Sequence, residues 1–217
     1  MRVPSGKEIL DIFYPYVAVN SQSGTDRENL AAAFFRSHFQ GSPYFSGQPG
    51  TLGTLPVPKD PAGRSVEWAL VRGRGSRTVV LMHHFDVVET EDYGSLKSLA
   101  FDPERLSRAL RENPEALDAE SRADLESGGF IFGRGAADMK AGGAVQMALV
   151  DEAARDPDFG GNLLLVALPD EENLSAGMRT AVDLLADLKA RFGLEYVLMV
   201  NSEPHQRKDP RVGVLSG

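Results

Sequence analysis

The sequence has no cysteine in 217 residues. That absence excludes disulfides, thiolate metal sites and cysteine nucleophiles together. Histidine is nearly as scarce, with only His38, His83, His84 and His205. Any metal centre must therefore be built from these few rings and from carboxylate oxygen. Long apolar runs are missing as well. The longest strongly apolar stretch, Leu163–Leu168, is far too short to span a bilayer. The start, Met-Arg-Val-Pro-Ser-Gly-Lys-Glu, lacks the apolar region of a secretory signal. The expectation is a cytoplasmic address with no membrane partner. Positive charge is also in deficit, with 23 Lys and Arg against 31 Asp and Glu and a net charge of −8. A nucleic-acid surface needs clustered Lys and Arg to neutralise phosphate, so no nucleic-acid partner is expected.

What is present fits a globular domain. A charged fraction of 25% and a hydrophobic fraction of 42% are ordinary, and the length suffices for a core. There is no internal repeat and no low-complexity tract. Ser5 can cap a first helix with Ile9, Leu10 and Phe13 on one face. Thr25-Asp-Arg-Glu28 has the capping-box pattern before a stripe of Leu30, Ala33 and Phe34. Residues 41–64, rich in Gly and Pro, read as a long irregular loop. Strands are expected at Val66–Val71 and Thr78–His83. Residues 89–129 read as an insertion of short polar helices, with Asp102-Pro103 and Asn113-Pro114 as helix starts.

The remaining rhythm is strand, helix, strand, helix, strand. Ile131-Phe132 leads into Gly-Arg-Gly, and a helix runs from Met139 to about Arg155 with Ala141, Val145, Ala148 and Leu149 on one side. Leu163–Leu168 is a buried strand. Ser175 caps a helix striped by Met178, Val182, Leu185, Leu188 and Phe192. Tyr196–Val200 is the next strand, and Val212–Leu215 begins another. The alternation predicts an α/β fold: three layers, with a largely parallel mixed sheet flanked by helices. Sites in such sheets gather at the carboxyl ends of the strands.

Each strand end carries side chains that a core does not need. After the strand Thr78–His83 comes His84-Phe-Asp86. Residues two apart share a face, so Asp86 can orient the His84 ring and leave its other nitrogen for a metal. The same pair also suits a simple turn. His83 is the competing ligand, but no carboxylate lies two residues beyond it. Gly133-Arg-Gly-Ala-Ala-Asp138 brings a second carboxylate, equally suited to capping the next helix. A phosphate-binding reading of Gly133 and Gly135 is disfavoured, because the third glycine is absent and Asp138 would repel the anion. Asp170-Glu171-Glu172 stacks three acids after the most apolar strand, as a solvated acidic loop also would. Adjacent glutamates point apart, so one could bind a metal while the other serves as a general base toward water. Asn201-Ser-Glu203-Pro204 adds a carboxylate held extended by the following proline. One histidine and several carboxylates at one sheet edge describe a nitrogen–oxygen divalent-metal site, zinc first and manganese or cobalt next.

Taken in order, these four motifs resemble the zinc aminoacylase/carboxypeptidase family of dinuclear zinc exopeptidases. Asp92-Tyr-Gly-Ser-Leu and the Asn-Ser-Glu-Pro ending are most similar to its arginine-utilisation-protein branch. The resemblance implies two zinc ions bridged by Asp138. His84 and Glu203 would complete one zinc site and Glu172 would bind the other. Glu171 would be the general base and Asp86 would orient His84. It also implies hydrolysis of an amide bond in a small N-acyl amino acid or peptide.

Family members carry a lid and dimerisation domain and then a return to the catalytic domain that supplies a final histidine. The chain stops about where that lid would begin. Residues 1–217 are thus expected to be the N-terminal part of the catalytic domain, with homodimerisation a property of a full-length form. One metal site should be complete and the second short of a ligand, unless His205 substitutes. The competing expectation is a truncated, non-catalytic relative that binds metal and serves as a binding or assembly module.

Overall fold

The computed structural model describes residues 1–204. The expected strand Val212–Leu215 and His205 lie outside the described residues. Ser5 starts α1 (Gly6–Val17) with a full capping box: its hydroxyl accepts from the Glu8 amide, and Glu8 accepts from the Ser5 amide. The buried face is Ile12, Phe13, Tyr16 and Val17, one step round from the expected stripe, and Leu10 is exposed. The helix α2 (Glu28–Gln40) begins without a side-chain cap, because Arg27, whose side chain has no acceptor, occupies the cap position; Glu28 is turned fully inward. Ala31, Ala32, Phe35 and Phe39 face the core while Leu30 is exposed.

The stretch read as one irregular loop contains two elements, the short helix α3 (Pro43–Gly47) and strand β1 (Leu52–Pro56). The strands β2 (Ser65–Arg72) and β3 (Arg77–His84) follow as expected. The polar insertion comprises a 3₁₀ turn at Glu91–Leu99, α4 (Pro103–Glu112) capped by Asp102, a 3₁₀ turn at Pro114–Ala116 and α5 (Ala119–Ser127). It closes over a small core of its own, Leu106, Leu110 and Leu125. No strand forms at Ile131-Phe132. The chain instead enters an irregular turn, Ala136–Lys140, before α6 (Ala141–Arg155). The helix starts two residues later than expected, so Asp138 has non-helical φ/ψ and does not cap it. Strand β4 (Asn162–Leu168), helix α7 (Ala176–Phe192) and strand β5 (Glu195–Asn201) complete the described chain.

The sheet order is β1-β2-β4-β3-β5. β4 inserts between β2 and β3, so these two sequence neighbours do not pair. The sheet is mixed: β3 pairs parallel with β4 and β5, while β2 pairs antiparallel with β1 and β4. Helices α1, α2 and α6 pack on one face and α7 on the other, giving the three layers. β4 is buried along its whole length, as an all-apolar strand in a covered sheet should be. On α7 the buried positions are Gly177, Thr180, Ala181, Leu184 and Leu188, whereas Val182 of the expected stripe is exposed. Because β3, β4 and β5 run the same way, their carboxyl ends meet at one edge of the sheet.

Candidate metal centre

His84 is the last residue of β3 and is almost fully buried. Its Nδ1 lies 3.0 Å from the Asp86 carbonyl oxygen and 3.5 Å from the Asp86 carboxylate. An acceptor there puts the hydrogen on Nδ1 in the neutral ring and turns Nε2 outward. Among the described residues, Nε2 faces the carboxylates of Asp138 (Oδ1 at 2.9 Å), Glu203 (Oε1 at 3.7 Å) and Glu171 (Oε2 at 4.0 Å). One ligand atom each from His84, Asp138 and Glu172 lies within 4.8 Å of the others, the spread that a shared metal ion requires. Glu203 is not part of that trio; its Oε1 lies 3.7 Å from His84 Nε2, beside the Asp138 carboxylate.

The electrostatics express the same demand for a cation. Burial opposes charge on His84, but the Asp138 and Asp86 carboxylates, with Glu203 beyond them, more than offset it and raise the imidazolium to about 11. Burial pushes Glu172 up to about 7, helped by the charge of Asp138. Burial likewise raises Glu203, while the hydrogen bond to His84 holds Asp138 below the usual carboxylate range. Such a nest gathers negative charge around one buried imidazole, and a divalent cation would relieve it more fully than a single proton does. The donor set, one imidazole nitrogen and several carboxylate oxygens, fits zinc and its neighbours.

Asp86 also grips the loop after β4. Its two carboxylate oxygens accept from the Glu171 amide at 3.0 Å and the Glu172 amide at 3.1 Å. Asp86 therefore sets the backbone from which both glutamates project. The neighbouring Asp170 has a positive φ of 65°. Its amide donates to Glu28 at 2.7 Å, and its carboxylate accepts from Arg64 at 2.6 Å and from the Ala176 amide at 3.0 Å. The first amide of α7 is thus satisfied by Asp170, and Ser175, the expected cap, makes no side-chain capping bond. Arg64 joins Asp60, Glu28 and Asp170 in one buried ion-pair hub. Glu28 and Arg64 carry no recognisable local signal. Glu28 was masked by a capping-box pattern, and Arg64 by the loop composition around it.

His83, the competing histidine, points to the opposite face. Its ring bonds the Tyr16 hydroxyl and the Gln146 amide, and burial pushes it down to about 4. It takes no part in the carboxylate nest.

A mixed α/β sheet with a metal-competent histidine–carboxylate group at its strand ends defines the class of molecule. Residues 80–214 match the model of peptidase family M20/M25/M40, and the chain belongs to that family. The Bacillus subtilis (strain 168) proteins YqjN and RocB are 37% and 34% identical over 94% and 86% of this chain. The chain spans about a third of the length of these relatives, 37% and 33% respectively. Human carnosine dipeptidase 1 has the same fold, with a TM-score of 0.59 over 91% of this chain and 38% of its own, at 18% identity. No helix among the described residues is long and apolar enough to cross a membrane.

Proposed function

We propose that this chain provides the metal-binding catalytic half-site of a hydrolase that cleaves one amide bond in a small peptide or N-acyl amino acid. The observation that carries the reading is the approach of His84, Asp138 and Glu172 ligand atoms to within 4.8 Å, with Glu171 beside them. His84, Asp138, Glu172 and Glu203 would hold one or two ions, with zinc the best match to their nitrogen and oxygen donors. When bound, such an ion supplies Lewis acidity toward a carbonyl oxygen and toward water.

The residues of this chain do the rest. Asp86 fixes the His84 ring through Nδ1 and the Glu171–Glu172 backbone through its carboxylate. Both glutamates are half-buried: Glu172 joins the His84 and Asp138 ligand atoms, and Glu171 Oε2 lies 4.0 Å from His84 Nε2 with its side chain 41% exposed. Glu171 would take the proton of the attacking water and deliver it to the leaving amine, as a general base and then a general acid. The test is hydrolysis of a panel of dipeptides and N-acyl amino acids with and without chelator. Activity should vanish with the metal and return with zinc. Hydrolysis that persists in thoroughly metal-free protein would overturn the reading.

A further inference from the structure

A buried hydrogen-bonded chain runs beneath the candidate centre on the other face of β3. The Tyr16 hydroxyl lies 3.1 Å from His83 Nε2, and His83 Nδ1 lies 3.0 Å from Gln146 Oε1. Gln146 Nε2 reaches the Met82 carbonyl at 2.8 Å and Ser202 Oγ at 2.7 Å. Tyr16 and His83 are fully buried and Gln146 nearly so. The direction of every bond follows from one fixed end. A carbonyl oxygen only accepts, so the Gln146 amide nitrogen must face Met82, and its oxygen must accept from His83. His83 then carries its hydrogen on Nδ1, and Nε2 accepts from the Tyr16 hydroxyl.

The same helix face makes a second contact with the same two partners. A Cβ on Gly143 would lie 2.8 Å from the His83 ring, and one on Gly142 would lie 2.5 Å from the Ser202 Cβ. Only glycine at both positions lets α6 approach His83 and Ser202 this closely. Ser202 is therefore clamped between Gly142 and the Gln146 amide, immediately before Glu203. On the far side, Pro204 restricts the Glu203 backbone to extended conformations.

We propose that the Tyr16–His83–Gln146–Ser202 chain is a positioning device that sets Glu203 against His84 and Asp138. This rests on the reading of Glu203 as a metal ligand. Gln146 and Ser202 are positioning residues, outside the set proposed to hold the metal. Their effect is on the strand end that delivers the carboxylate.

The test uses the full 217-residue chain with cobalt(II) as the probe. Ser202→Ala removes one acceptor and leaves the core packed; Gln146→Leu removes the whole relay. Each should weaken cobalt(II) binding about tenfold and shift its visible absorption in the direction that Glu203→Ala shifts it. Combining Ser202→Ala with Glu203→Ala should add nothing beyond Glu203→Ala alone. In nitrogen-15 spectra of the metal-free protein, His83 should be protonated on Nδ1, and Gln146→Leu should abolish that preference. The inference falls if folded Ser202→Ala and Gln146→Leu keep the parent cobalt affinity and spectrum while Glu203→Ala loses them. It also falls if His83 carries its hydrogen on Nε2. If Glu203→Ala itself leaves the cobalt spectrum unchanged, the ligand role of Glu203 fails and takes the positioning role with it. Metal-dependent hydrolysis, measured separately, tells that failure apart from failure of the proposed function.

Discussion

The two faces of the sheet at the end of β3 hold adjacent histidines in opposite electrostatic worlds. His83 lies in a closed, neutral network in which every ring nitrogen has a partner of fixed sense. His84 lies in an open nest of carboxylates whose combined charge calls for a cation. Both rings are buried, so burial does not separate the satisfied histidine from the one proposed to bind metal. Partner chemistry does. A ring surrounded by an amide and a hydroxyl is satisfied, whereas one surrounded by anions has an unmet demand for positive charge.

The largest effect that would sharpen this contrast is on the nest side. Glu171→Gln should lower turnover by about 10²- to 10⁴-fold while leaving metal content intact. Retained turnover in steady-state assays, with metal bound, would remove Glu171 as the general base. Next in size is Arg64→Met, which strands the buried carboxylates of Glu28 and Asp170. It should cost about 3–5 kcal/mol, read from denaturant midpoints. A loss below about 1 kcal/mol would mean the hub behaves as a surface ion pair.

On the neutral face, Gly143→Ala is a sharp probe. In an open helix this change stabilises by about 1 kcal/mol. Here the added methyl meets the His83 and Tyr16 rings, and a loss of about 1–3 kcal/mol is expected instead. Any gain in thermal stability would show that the face is loosely packed. The smallest effect concerns pH. Ligands must shed protons to bind metal. His84, raised to about 11, gives up a proton on metal binding throughout the neutral range, and Glu172, raised to about 7, gives up another below that value. Metal affinity should rise about tenfold per pH unit above 7 and more steeply below it. Cobalt titrations giving one constant affinity from pH 6 to 8 would contradict the nest as described.

Much of the fold was legible in local pattern. β3, β4, α7 and the Ser5 cap were readable because alternation, apolar runs and capping chemistry are properties of a few consecutive residues. β1 was hidden in a Gly- and Pro-rich stretch because its pairing with β2 supplies what its own composition does not. The helix stripes were read about one residue off in α1, α2 and α7. An apolar residue beside the buried face satisfies the same periodicity, and only the packed neighbour decides between them. The motif residues His84, Glu171, Glu172 and Glu203 stood out because polar side chains at strand ends have no use in a core, and Asp138 because its acid follows a glycine-rich turn. The residues that hold them left no such trace. Glu28, Arg64, Tyr16 and Gln146 act across large sequence separations, 142 positions in the case of Glu28 and Asp170.

By itself, then, the sequence determined the chemistry available: no thiol, few histidines, and a run of acids after apolar strands. It also determined the α/β alternation that sends those acids to strand ends. Only the tertiary structure decided that β4 would separate β2 from β3, that His83 would turn to amide and hydroxyl, and that His84 would turn to carboxylates. The reason is physical. Buried polar groups must be satisfied, and which distant group satisfies which is settled only when the layers pack.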